Sequence, residues 1–337
     1  MSLQGFLAEA KHHVTEPIQE KHKIWDSYWH DSRIFSTVAE SSPQAEATLE
    51  AHWAEFFNEL PNGAAILDLG CGNGHVCLMA ARASEATGKH FRIFGVDSAA
   101  IDPVKFVPKE ELLKTVEFKG QVPMEVLPYQ SGQFDAVVSQ YGMEFGDSRA
   151  PAEAVRVMKR GAKFCAIMFA ANTAPVVQVA SKMRQSQFLL NGTKLFEVAT
   201  AVSQALHHIE KSPQEDGAPR DTKKYLQKFS DEVERTMAKF KNTDSEIVEA
   251  VITSLQHVFV IRKTTEINSQ VNMIALMKKR IGSHVARLDA ITRAAVGDSG
   301  LLGFKRKLAD AGLMGVAHSQ VIVDGVGVIG VKVTGTR

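Results

Sequence analysis

Between residues 66 and 75 the chain reads Ile-Leu-Asp-Leu-Gly-Cys-Gly-Asn-Gly-His, with three glycines at alternate positions behind an aspartate. A short apolar run gives way there to a helical pattern. Glycines at such a turn let the backbone approach a bound molecule closely and aim the free N–H groups of a helix N-terminus at it. As a dinucleotide fingerprint, Gly-x-Gly-x-x-Gly, the segment fails, because the sixth position counted from Gly70 is His75. As Asp-x-Gly-x-Gly-x-Gly it fits throughout, at Asp68, Gly70, Gly72 and Gly74. A second acid, Asp97, closes the next apolar run, Phe94-Gly95-Val96-Asp97. It stands about 25 residues beyond Gly72, the place in a βαβ unit from which a carboxylate accepts hydrogen bonds from both hydroxyls of a ribose.

Such residues need a sheet behind them. Apolar runs at Ala65–Leu69, Phe91–Val96, Phe134–Ser139 and Phe164–Phe169 alternate with helical stretches, which predicts parallel βαβ units and an α/β sheet. Residues 1–60 read as helix. Ser42-Pro43 supplies a cap and a proline for the first helical position, and Leu49, Trp53, Phe56, Phe57 and Leu60 follow at helical spacing until Pro61-Asn62-Gly63 stops the run. After Ala171 the strand pattern stops for more than a hundred residues. This block has a capping box at Thr243-Asp244-Ser245-Glu246, a helical stripe of Ile274, Met277, Ile281, Val285 and Leu288, and a polar break at 212–221. The chain then returns to a helix at Leu301–Ala311 and to strands at Val316–Val323 and Val326–Val333 around Asp324-Gly325, a strong hairpin signal. The division this implies is a helical lid (1–60), an α/β core (61–174), a helical insertion acting as substrate or dimerisation cap (175–296), and a helix and hairpin completing the sheet (297–337).

With Asp68 to Gly74 and Asp97 goes a later stretch, Val122-Pro123-Met124-Glu125-Val126-Leu127-Pro128-Tyr129, followed by Gly132-Gln133-Phe134-Asp135-Ala136-Val137-Val138-Ser139. On these residues the sequence resembles the Rossmann-like class I S-adenosylmethionine (SAM) methyltransferases of small-molecule type, over residues 64–171 and the terminal hairpin. The resemblance implies a seven-stranded sheet, mostly parallel with a C-terminal β-hairpin, an N-terminal helical lid and a large helical insertion. It implies SAM as cofactor, S-adenosylhomocysteine (SAH) as product, and methyl transfer to an O or N nucleophile of a small or medium organic molecule. A peptide or protein acceptor, or a non-catalytic SAM/SAH-binding regulatory protein, are the alternatives. Carried onto this chain, the cofactor loop is Asp68, Gly70, Cys71, Gly72 and Gly74, with Asp97 and Ser98 after the second strand and Gln140 at the end of the fourth. The family's acid ahead of the Leu-Pro segment is missing near Val122 and Pro123, which leaves Gln121 as the candidate near the adenine amino group.

Trp25, Trp29 and Arg33 recur every four residues and share a face if helical. Two readings stay open: a lid in which Trp25 and Trp29 cover the cofactor and Arg33 pairs with its carboxylate, or an amphipathic helix packing its tryptophans. Tyr141 and Glu144 follow the fourth strand at the sheet edge where α/β proteins place ligands. They are the acceptor-side candidates for catalysis, with His208 of the insertion as a third. The segment is not the Asn/Asp-Pro-Pro-Tyr/Phe signature of amino-directed DNA methylation.

Lys and Arg number 39 against 38 Asp and Glu, a net charge of +1, with no block of five or six like charges. That excludes the broad electrostatic footprint of a general nucleic-acid or anionic-membrane binder and leaves a small-molecule acceptor as the expected partner. The insertion's apolar stripes need a covering surface, for which the sheet domain, the N-terminal helices and a second subunit in a homodimer are the choices. Cys71, Cys77 and Cys165 lack CxxC or zinc-ligand spacing, so no metal site is expected and a reducing compartment is the default. Without a signal-like apolar segment at residues 1–13 or a run of 18 apolar residues, the expectation is cytoplasmic.

Overall fold

A computed structural model describes residues 18–30, 34, 42–211 and 218–337. The chain divides into a sheet unit, which runs to Met168 and resumes at Asp298, and a helical unit, Phe169–Gly297.

The sheet unit opens with α1 (Ile18–His30) and α2 (Pro43–Asn58). Ser42 caps α2 as the sequence predicts, its hydroxyl accepting the Ala45 N–H at 3.2 Å, with Pro43 in the first turn. Leu49, Trp53 and Phe57 form the buried stripe of α2, and Leu60 is buried just past its end. Strand β1 (Ala65–Leu69) is buried along all five residues, as a central strand covered on both faces must be. There follow α3 (His75–Thr87), β2 (Arg92–Val96), β3 (Glu117–Lys119), β4 (Phe134–Gln140), α4 (Ala150–Val157) and β5 (Met158–Met168). β3 is three residues long, too short to show a period in sequence. β5 begins at Met158, not at Phe164, because Lys159, Arg160 and Lys163 hide its first half; Lys159 is tied at 2.8 Å to Asp135 of β4.

From β5 the chain enters α5 (Ala174–Gln187), prolonged by a π turn over Phe188–Gly192, then α6 (Leu195–Lys211), α7 (Ala218–Lys239), α8 (Glu246–Val260) and α9 (Ile267–Ala294). This unit has its own core of Leu195, Phe196, Val202, Val248, Ile252, Leu255 and Ile274, with Met277 and Ile281 packed against it. The capping box expected from Thr243 does not form. Helix α8 starts two residues later, Asp244 accepts the Glu246 N–H at 3.1 Å, and the Gln185 side-chain carbonyl, arriving from α5, accepts the N–H groups of Ile247 and Val248. A tertiary cap has replaced a local one. Most of the polar break at 212–221 lies outside the described residues.

The sheet unit closes with α10 (Asp298–Asp310), β6 (Met314–Val323) and β7 (Gly327–Thr336). The hairpin is present, but its connection is the three residues Asp324-Gly325-Val326, with Val323 paired to Gly327 and Gly325 left-handed at φ +78°. Strand order is β3-β2-β1-β4-β5-β7-β6, with β7 antiparallel to both neighbours and β1 to β5 parallel. This is the seven-stranded, mostly parallel sheet with a C-terminal hairpin that the resemblance implies. The loops after β1, β2 and β4 therefore gather at one edge, the carboxyl end where ligands bind in open α/β sheets. Among the described residues no helix is long and apolar enough to cross a membrane.

Candidate functional site

At that edge the loop after β1 is tied down by its neighbour. The N–H groups of Gly70 and Cys71 both donate to the Val96 carbonyl, at 2.9 and 3.0 Å, and the Gly72 N–H donates to Asp97 Oδ2 at 2.8 Å. The other carboxylate oxygen of Asp97 accepts the Ala99 N–H at 2.8 Å. Asp97 thus holds the loops after β1 and β2 in fixed relation. Gly74 is the N-cap of α3 with φ +83°, a left-handed conformation that a residue with a Cβ reaches only under strain. Ser98 follows Asp97, half-buried. Gln121 is exposed beside it, left-handed at φ +59°, its N–H bonded to the Ala99 carbonyl at 2.9 Å. Ser139, which sequence reading passed over as one more strand residue, stitches β4 to the loop: its hydroxyl donates to the Leu69 carbonyl at 2.7 Å and accepts the Met143 N–H at 3.1 Å.

Asp68 lies beneath this loop, 1% exposed. Its Oδ2 accepts a weak hydrogen bond from the Cys77 thiol at 3.5 Å, while Oδ1 has no partner among the described residues. Burial pushes the Asp68 carboxyl up to about 8, with the Cys77 contact opposing and the charge of Asp97 adding to the shift. The carboxyl is therefore largely protonated at neutral pH and acts as a polar floor to the loop rather than as a charge. Burial also raises the thiols of Cys71 and of Cys77, the latter to about 11, so neither is a thiolate. His75, the first residue of α3, is pushed down to about 4, by burial first and then by Arg82.

The sign of the pH effect follows. A carboxyl whose folded-state value is raised favours the protonated folded protein, so its contribution declines as pH rises from about 4 towards 8. His75, depressed when folded, contributes in the opposite sense and only below about 6.5. Asp68→Asn is therefore expected to gain about 1–2 kcal/mol on wild type between pH 6.5 and 8, at 1.36 kcal/mol per unit. Urea denaturation of both proteins at the two pH values checks this. Parallel stability curves would show that Asp68 is not a buried acid.

Helix α1 lies over the same loops. The Asn73 amide donates to the Trp29 carbonyl at 2.7 Å, and Asp26 accepts the Ala100 N–H at 2.8 Å. Trp25 and Trp29 are stacked at 6.4 Å between centroids, as their four-residue spacing predicts, and Trp25 meets Phe145 edge-on at 5.4 Å. Trp29, 9% exposed, packs with Tyr28 and Ala99 in a small core of their own. Arg33 lies outside the described residues.

Gln140 is brought to the site's edge with both ends of its amide engaged. Its oxygen accepts the Trp53 indole N–H at 2.6 Å, and its nitrogen is 3.3 Å from His75 Nδ1. Tyr141 has its hydroxyl donating to the Ile329 carbonyl of β7 at 3.0 Å, and burial holds the phenol far above its ordinary range. That hydroxyl is an anchor, unsuited to taking up a proton at neutral pH. Glu144 sits half-buried on the single turn Met143–Phe145 after β4. His208 is exposed on α6 of the helical unit. Sequence reading missed Asp26 and Trp53 as parts of this assembly and gave Asn73, inside the glycine motif, no role of its own; Trp53 shows only helical spacing in sequence, and nothing local marks Asp26.

A family model described as a methyltransferase domain matches residues 60–257. No curated protein sequence matches the chain. Solved structures similar to it include a putative methyltransferase of Haloferax volcanii in complex with the Trm112 methyltransferase activator, at 20% identity over 43% of this chain and 59% of that one, TM-score 0.32. A geranyl diphosphate C-methyltransferase from Streptomyces coelicolor A3(2) matches at 18% identity over 46% and 67%, TM-score 0.34. A putative SAM-dependent methyltransferase from Methanococcus maripaludis matches at 15% identity over 53% and 77%, TM-score 0.36. The chain spans about half the length of the first solved relatives it matches.

Proposed function

Because the chain belongs to the methyltransferase-domain family, we propose that it is a SAM-dependent methyltransferase acting on a small or medium organic acceptor. The observation that carries this reading is the docking of the glycine loop onto Asp97 through the Gly72 N–H, at the carboxyl edge of the sheet. The donor set suits a nucleoside carrying an amino acid. Asp97 offers carboxylate oxygens for ribose hydroxyls, and the unpartnered Oδ1 of Asp68 lies under the loop. Ser98 and Gln121 are the candidates beside the base.

When bound, SAM supplies a methyl group already activated on a sulfonium. What remains for the chain is to orient the acceptor and exclude water, an effect worth on the order of 7–11 kcal/mol. A general base is required only for a poorly acidic hydroxyl or a protonated amine. Of the groups at the edge, Tyr141 holds its proton through burial and its bond to Ile329, and Asp68 is largely protonated, so neither is assigned as a base. Tyr141, through its ring, and Glu144 are assigned to the acceptor side. The helical unit, with His208, is assigned to acceptor selection, since an insertion of more than a hundred residues exceeds any connecting loop.

The test has two arms. Calorimetry is expected to show SAH binding and none with NAD; the reverse would overturn the cofactor assignment. Incubation with radiolabelled SAM and fractionated cell extract is expected to label a small-molecule fraction, and product analysis reads whether the methyl sits on O, N or C. Label in protein would replace the small-molecule acceptor by a polypeptide, and SAH binding with no label in any fraction would favour a regulatory SAM/SAH-binding protein.

A further inference from the structure

The cradle at the middle glycine is filled by the chain itself. A Cβ placed on Gly72 would meet three atoms of the Trp29 indole at 2.4, 2.5 and 2.7 Å, so the ring rests on the bare backbone of the loop. Only glycine permits that contact, and the same bareness is what lets a ligand approach. Three polar attachments of α1 reach the two loops in question: Asn73 to the Trp29 carbonyl, Asp26 to the Ala100 N–H, and His30 Nε2 to the Ala100 carbonyl oxygen at 3.0 Å. The helix is thus latched onto the turn after β1 and the turn after β2.

We propose that α1 is an internal competitor of the cofactor, with Trp29 seated on Gly72 in the free protein and released from it when SAM or SAH binds. The proposal rests on the reading of this loop as the cofactor site. It differs from a simple covering lid in sign. A residue that walls a ligand contributes contacts, so truncating it weakens binding. A residue that occupies the ligand's place lowers the fraction of binding-competent protein, and the apparent dissociation constant rises by the inverse of that fraction. Truncating Trp29, or loosening the latch that seats it, then strengthens binding. Association is faster as well, because opening no longer precedes it.

The test uses the full chain with SAH as probe, by calorimetry and stopped-flow mixing, for wild type, Trp29→Ala, Trp29→Phe and Asp26→Ala. Circular dichroism melts confirm that each variant is folded. Trp29→Ala and Asp26→Ala are expected to bind SAH about 3- to 10-fold tighter and to associate faster by a similar factor, the size of effect that a mostly closed helix imposes. Trp29→Phe, which keeps a ring on the glycine, is expected to stay near wild type. Asp26→Ala guards against misfolding of the tryptophan variant, since it acts on the attachment of α1 and leaves the indole intact. Weaker or unchanged binding in both alanine variants, with wild type binding SAH, would overturn the competitor and make Trp29 a wall. Absence of SAH binding in wild type and variants alike would instead remove the cofactor site, and the competitor with it.

Discussion

Asp97→Ala is expected to weaken SAH binding by about 2–3 kcal/mol, roughly 30- to 150-fold, the upper range for hydrogen bonds to a charged group. Both oxygens of Asp97 already accept backbone N–H groups, from Gly72 and from Ala99, each at 2.8 Å. Removing the carboxylate takes away the acceptors for a ribose and also frees the loop from its tether, so the binding surface loses both charge and shape. Asp97 is 8% exposed, which keeps water from replacing its carboxylate cheaply. Calorimetric titration with SAH reads the loss, and a thermal melt of the free variant reports the tether separately. Unchanged SAH affinity would remove Asp97 from the cofactor site.

Trp53→Ala is expected to cost about 3–5 kcal/mol of folding stability, the usual toll of emptying a fully buried tryptophan site. Trp53 is 0% exposed and stacks on Phe57 at 5.8 Å between centroids, with Phe56 edge-on at 5.9 Å. Its indole N–H is also the donor to Gln140 Oε1. Trp53→Phe separates the two roles, because most of the ring volume stays while the Gln140 oxygen is left buried without that donor, at a cost of about 1–3 kcal/mol. If the Trp53–Gln140–His75 chain orients Gln140 for the cofactor, Trp53→Phe loses SAH affinity as well as stability; if the chain is purely structural, stability falls and affinity holds. Urea denaturation and SAH titration of the two variants give both numbers. A loss below about 1 kcal/mol for Trp53→Ala would contradict the packing of α2 onto the end of β4.

Fold class and the core of the candidate site were legible because they are local. The run from Asp68 to Gly74 and the acid at Asp97 belong to a single βαβ unit, where spacing along the chain maps directly onto position, and β1, β2 and β4 appear as apolar runs within one residue of their actual bounds. The hairpin was legible for the same reason, its Asp-Gly lying between its own strands, although the connection is one residue longer than a two-residue turn. Where polar residues interrupt a strand, as in the first half of β5, or where a strand has three residues, as β3 does, periodicity carries no signal. The cap of α8 shows the limit from the other side: Thr243 to Glu246 form a valid local pattern, yet Gln185, 62 residues away, makes the bond to Ile247.

What the amino-acid sequence determined by itself is therefore a glycine turn, an acid at a fixed remove from it, and the alternation of strands and helices that places both on one edge. What only the tertiary structure decided is which side chains meet there. Trp53 reaches Gln140 across 87 residues, Tyr141 reaches Ile329 across 188, and Asn73 reaches back 44 to Trp29. These pairs give Gln140, read from sequence as a cofactor residue, and Tyr141, read as an acceptor-side residue, fixed hydrogen-bond partners, and turn Trp29 from one of two stacked aromatics into the ring seated on Gly72. The physical reason is that a side chain's chemistry depends on burial and on hydrogen-bond partners. Strand order and helix docking set both, and neither is written in the spacing of any one segment.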